Sequence, residues 1–90
     1  MIALSPSDLY PLPQRKAVMV RLPTFEWDFT LGLEVRLRAG QRSVEARQIG
    51  TGNVKGRATV MLSPADWTLA EPELKAMAAF AGPIFLEKRG

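Results

Sequence analysis

Two of the side chains that most often do chemistry are missing: the 90-residue chain has no cysteine and no histidine. Serine–histidine and cysteine–histidine nucleophiles, histidine–zinc centres, thiolate metal sites and disulfides are excluded with them. Nine carboxylates remain, and a carboxylate pair hydrolyses glycosides where a cleft perturbs one member. The acids here read otherwise. Glu34 and Glu45 each gain an arginine across a strand pair, and Asp66 stands at a helix start. No catalytic, metal-binding or cofactor-binding residue is assigned, so the chain reads as a non-enzyme with no cofactor and no evident small-molecule substrate.

Two further patterns invite a phosphate reading. Gly50-Thr-Gly-Asn-Val-Lys-Gly56 could cradle a phosphate with backbone amides and Lys55, but the specific motifs lead into a helix aimed at the ligand. A strand follows here, and glycine is what a tight turn needs. The second pattern is basic. Lysine and arginine outnumber acids by twelve to nine, giving a net charge of +3 and a pI near 9.8. Arg36, Arg38, Arg42, Arg47, Lys55 and Arg57 fall on the polar strand face or its rim. Arg36 and Arg47 find glutamate partners, leaving Arg38, Arg42, Lys55 and Arg57 as the nucleic-acid contact set. That face shows no aromatic platform on which bases could stack. The reading it supports is salt-sensitive contact with a phosphate backbone.

The third candidate is apolar. Ala76 to Leu86 carries no charge, although a helix packed on one side should be polar on the other. Met77, Phe80, Ile84, Phe85 and Leu86 are therefore the candidate self-association surface of a homo-oligomer, with Trp67 and Phe80 as candidate anchors.

The element that must position all of this is Trp27–Arg38. Trp27, Phe29, Leu31, Leu33, Val35 and Leu37 alternate with Asp28, Thr30, Gly32, Glu34, Arg36 and Arg38, the two-residue period of a half-buried strand. Leu22 opposite Trp27 sets Arg21 against Asp28 and makes Arg15–Leu22 one neighbour. Beyond a hairpin loop at Ala39–Arg42, Leu37 opposite Val44 sets Val35 against Ala46, Arg36 against Glu45 and Glu34 against Arg47. Ser43–Arg47 is then the other neighbour, and a one-residue slip would turn Val44 and Ala46 outward.

Gly50–Asn53 reads as a turn and Val54–Leu62 as a fourth strand, with Val54, Ala58, Val60 and Leu62 facing in and a bulge at Gly56. Ser5-Pro6-Ser7-Asp8 opens a short helical turn. Ser63-Pro64-Ala65-Asp66 repeats that signal over Pro64–Ala70. Pro72 then begins a helix to Ala81 with Leu74, Met77, Ala78 and Ala81 on its buried stripe, stopped by Gly82-Pro83. Ile84–Leu86 reads as a short last strand or an apolar tail.

Length and composition agree with a modest core. Ninety residues suit one domain spanning 1–90, and 47% apolar with 23% charged residues is ordinary for a globular chain. No apolar run approaches the roughly 20 residues a membrane span needs, and no secretion signal opens the chain. A cytoplasmic, soluble α+β protein is expected: a four-stranded antiparallel meander with a C-terminal helix on its apolar face. Its expected role is a non-catalytic interaction module that self-associates, with nucleic-acid binding as the alternative.

Overall fold

The structure, a computed structural model, describes residues 1–89. The chain is α+β, as expected, but its antiparallel sheet has seven strands rather than four. They are β1 (Ile2–Leu4), β2 (Leu9–Leu12), β3 (Ala17–Arg21), β4 (Glu34–Ala39), β5 (Arg42–Val54), β6 (Arg57–Pro64) and β7 (Ile84–Lys88). One helix, α1 (Trp67–Ala78), lies between β6 and β7. Across the sheet the order is β1-β7-β4-β5-β6-β3-β2. β1 is too short to show a period, and β2 contains Pro11, which tolerates a strand because β2 is an edge.

This order forces the sheet to curl. β1 and β2 are its two edges, yet only Ser5–Asp8 joins them. A link of that length reaches roughly 17 Å fully extended, so the edges must face each other across a seam. Ser5–Asp8 crosses the seam as the expected Ser-Pro turn, a single 3-10 turn over Pro6–Asp8. Val18, Val20, Val35, Leu37, Val60, Leu62, Ile84 and Leu86 fill the inside.

β4 and β5 pair in the expected register, Val35 with Ala46, Arg36 with Glu45 and Glu34 with Arg47. The rest of the Trp27–Arg38 strand is not there. Before Glu34 the chain is irregular, and β4's second neighbour is β7, not Arg15–Leu22. The first strand instead joins β6 and β2, and Arg21 meets Asp8 at 3.2 Å rather than Asp28. The alternation sorts burial only in part: Trp27, Phe29 and Leu33 pack on the core, but Leu31, on the same parity, is 63% exposed. Local bonds explain the missing strand. Asp28 Oδ1 accepts from the amide and hydroxyl of Thr30, Gly32 takes φ +86°, and the Asp28 and Thr30 carbonyls accept from the Gln48 side chain, so only Gly32 and Leu33 share backbone bonds with β5.

β5 runs straight through Gly50–Asn53. The turn falls at Lys55 and Gly56, both at positive φ (52° and 81°), the signature of a type I′ hairpin. The bulge is at Ile49, between Gln48 and Gly50, rather than at Gly56. β6 holds Ala58, Val60 and Leu62 inward as expected, but Val54 is exposed.

Helix α1 begins five residues early and passes through Pro72 instead of starting there. Asp66 itself is the N-cap, accepting from the amides of Thr68 and Leu69, and Ser63-Pro64 belongs to β6. Leu74 and Met77 are buried as expected and Ala70 joins them, while Ala78 and Ala81 lie outside. The helix meets the sheet where β4 ends and β5 begins: Glu73 accepts from Arg42 at 3.1 Å, and Phe80 lies against Gly40. The Trp27–Leu33 segment covers the other end, at Glu34 and Gln48.

Candidate functional site

The outer surface of the sheet divides into two unlike halves. Over β7, β4 and β5 it is a ladder of alternating charge, because the register sets Glu87, Arg36 and Glu45 side by side. Arg36 pairs with Glu45 at 3.2 Å and Glu87 at 3.8 Å, Arg47 with Glu34 at 3.2 Å, and Arg89 with Glu45 at 3.4 Å. Exposed pairs such as these contribute at most about 1 kcal/mol each. Their larger effect is to cancel one another's field.

The expected nucleic-acid set does not form one patch. Arg38 sits on the ladder, 3.6 Å from Glu87 and 5.0 Å above the Phe85 ring, and Arg42 is bound to Glu73. Arg57 lies across the sheet, 3.6 Å from Asp8, and donates to the Leu22 carbonyl. Lys55 stands at the hairpin tip and makes no ion pair among the described residues. Asp8, nearly buried, also accepts from Arg21 Nε and the Ser5 amide. One carboxylate thus ties the seam turn to β3 and β6.

The second half of the outer surface spans β2, β3, β6 and the far end of β5. Tyr10 faces Met19, Met19 faces Met61, and Met61 faces Gly50, so one uncharged row crosses four strands. Residues opposite one another share a face, and the neighbours of this row, Val20 and Val60, point inward. The missing side chain at Gly50 leaves a depression of about 320 Å³ walled by Met19, Ile49 and Met61, with Arg15 at its rim. Arg21 stacks over Tyr10 at 5.9 Å. Sequence reading left this row unassigned, because Tyr10 lies in an edge strand outside the expected meander.

Charge is segregated between the halves. The Asp8–Leu22 segment and the β5–β6 hairpin tip carry Arg15, Lys16, Arg21, Lys55 and Arg57 against Asp8 alone, a net +4. The remainder has seven cations and eight acids, a net −1.

The expected self-association residues also divide. Met77, Ile84 and Leu86 are wholly buried within the chain, so they belong to its own core. Phe85 is half-covered beneath Arg38, and Phe80, 36% exposed, rests on Gly40 and Gly82. Leu69, absent from the expected set, is 70% exposed on α1.

One buried polar residue organises the covering segment. Gln48 is fully buried; its Oε1 accepts from Trp27 Nε1 at 2.9 Å, and its Nε2 donates to the carbonyls of Asp28 and Thr30 at 2.9 and 3.0 Å. Its backbone bonds Gly32 and Leu33. The sequence signal was a glutamine on the inward parity set by Val44 and Ala46. Beside it, the bonds from Thr30, with Lys88 at 3.2 Å, lower the Asp28 pKa to about 2.

Among the described residues no three acids come together in a way that could hold a metal ion, and no helix is long and apolar enough to cross a membrane. Comparison with protein-family models, with curated proteins and with solved structures finds no match.

Proposed function

We propose that the chain is a non-catalytic interaction module that associates with copies of itself. The observation that carries this reading is the divided outer surface. One half is compensated by its own ion pairs, whereas the other presents Tyr10, Met19, Met61 and Ile49 inside a cationic rim. Interfaces favour an apolar centre rich in methionine and tyrosine with arginine around it. The carboxylates support a structural role rather than a catalytic one, since Asp8, Glu34, Glu45, Glu73 and Glu87 all hold arginines. Light scattering after gel filtration tests the reading: mass should rise with protein concentration. A monomer at up to about 1 mM, where any association is weaker than about 4 kcal/mol, refutes it.

The net +4 strip favours one second reading, contact with a nucleic-acid backbone through Lys55 and Arg57. Of the expected set, Lys55 is without an ion pair among the described residues, whereas Arg38, Arg42 and Arg57 would each exchange a carboxylate, that of Glu87, Glu73 or Asp8, for a phosphate. Binding to a single-stranded oligonucleotide should then weaken with salt, with a slope of about −0.7 per phosphate contacted, and Lys55→Glu should weaken it further. No binding at low salt removes this reading.

A further inference from the structure

The cationic apolar face has a counterpart on the same molecule. At the start of α1, Leu69 projects as an apolar knob between Glu45, Asp66 and Glu73, beside the end of the sheet that the helix covers. The helix with its N-cap carries Asp66, Glu71 and Glu73 against Lys75, and with Arg42, which is bonded to Glu73, the surface is a net −1. Glu73 is bound to Arg42 and Glu45 to two arginines, but Asp66 and Glu71 have no basic partner among the described residues. The sheet face is the converse: a depression over Gly50 with Met19, Ile49 and Met61 in its walls beside Thr51 and Thr59, Arg15 at its rim, and a net +4 in the Asp8–Leu22 segment and hairpin tip that carry it. Neither surface fits itself. Two sheet faces would set +4 against +4, and two helices would set like charge against like.

We propose that copies of the chain join head to tail, Leu69 of one copy seating in the Met19–Ile49–Met61 depression of the next. This rests on the self-association reading and names its surface. The two surfaces share no residue, so each copy can use both, and the contact is heterologous: it closes into rings or runs on as a chain of copies. Opposite net charges across the contact strengthen encounter and suppress the mismatched pairings. Assembly should therefore fade at about 1 M salt, where the screening length is about 3 Å.

Two exposed positions give the test. Ile49→Glu spoils the sheet face and Leu69→Lys spoils the knob, and neither side chain belongs to the core. Each variant alone should run as a monomer while keeping the wild-type circular dichroism spectrum. An equimolar mixture should give dimers and nothing larger, because only one good knob and one good face remain to meet. Leu69→Ala, a milder change, should weaken wild-type assembly at least tenfold. A wild type that is monomeric throughout overturns the self-association reading itself. A wild type that assembles, with both variants assembling equally well or their mixture staying monomeric, overturns only the assignment of the faces. Intact assembly of Ile49→Glu together with loss of its binding to a single-stranded oligonucleotide gives the face to nucleic acid and overturns the proposal.

Discussion

Replacing Gln48 by leucine keeps the volume of a buried side chain and removes its three side-chain hydrogen bonds at once. Trp27 Nε1 and the carbonyls of Asp28 and Thr30 then face an apolar group. A buried hydrogen bond contributes a net of about 1 kcal/mol, so the loss is roughly 3 kcal/mol if the segment stays docked. Lifting the segment lets water in, but it also exposes the apolar surface that Trp27, Phe29 and Leu33 now bury against the core. For a domain this size 1 kcal/mol moves Tm by about 4–8 °C, so Gln48→Leu should melt roughly 12–24 °C below wild type. Thermal unfolding by circular dichroism reads the shift, and tryptophan fluorescence should move to the red as Trp27 loosens. Gln48→Glu separates bonding from packing. The ionised form accepts from Trp27 but donates to neither carbonyl, so its deficit should be larger at pH 7 than at pH 4. A Gln48→Leu protein melting within about 3 °C of wild type, with unchanged fluorescence, would refute this account of the segment.

Asp28 carries a pH prediction. Its folded pKa lies near 2 against an ordinary 3.8, so its contribution is complete above about pH 4 and fades as pH falls towards 2. The margin of wild type over Asp28→Asn in urea melts should therefore shrink across that window and stay constant above it. Asp8→Asn leaves Arg21 and Arg57 facing a neutral amide at the seam. Its partners are partly solvated, so the expected loss is about 1–2 kcal/mol, read in the same melts together with faster amide exchange in β2. Lys55 holds a left-handed conformation at φ 52°, which costs a non-glycine residue about 1–2 kcal/mol. Asparagine accepts it more readily, so Lys55→Asn should raise Tm by a few degrees, about 0.5–1 kcal/mol. An unchanged or lower Tm counts against the type I′ turn.

What could be read in the sequence was what depends on neighbours in the chain. Val35 opposite Ala46, with Arg36–Glu45 and Glu34–Arg47 outside, follows from alternation plus a short hairpin. The inward Ala58, Val60 and Leu62 of β6 and the buried Leu74 and Met77 of α1 follow from their periods, whereas Ala78 and Ala81 do not join them. The errors have distinct causes. Trp27–Leu33 packs Trp27, Phe29 and Leu33 on the core, a requirement strands share but do not own, and Gln48 bonds its Trp27 indole and two of its carbonyls from 18 to 21 residues away. Gly50-Thr-Gly-Asn resembles a turn, yet its glycines lie in a strand opposite Met61 and Thr59, and a side chain at Gly52 would press on the Thr59 hydroxyl. Pro72 reads as a first residue of a helix, but the stronger cap at Asp66 starts it earlier. The uncharged face came from none of these patterns. It appears only when β2, β3, β6 and β5 lie side by side, an order set by pairings between distant segments.

The pairing of β1 with β7 has a kinetic consequence. Ile2 faces Leu86 and Leu4 faces Ile84, and among the described residues β1 has no other strand beside it. During synthesis β1 must wait, unpaired and apolar, until β7 has left the ribosome. Contacts of such long sequence separation slow folding towards the millisecond-to-second range. The seam turn, tied through Asp8 to Arg21 only 13 residues further on, keeps that waiting strand near the place it will finally occupy.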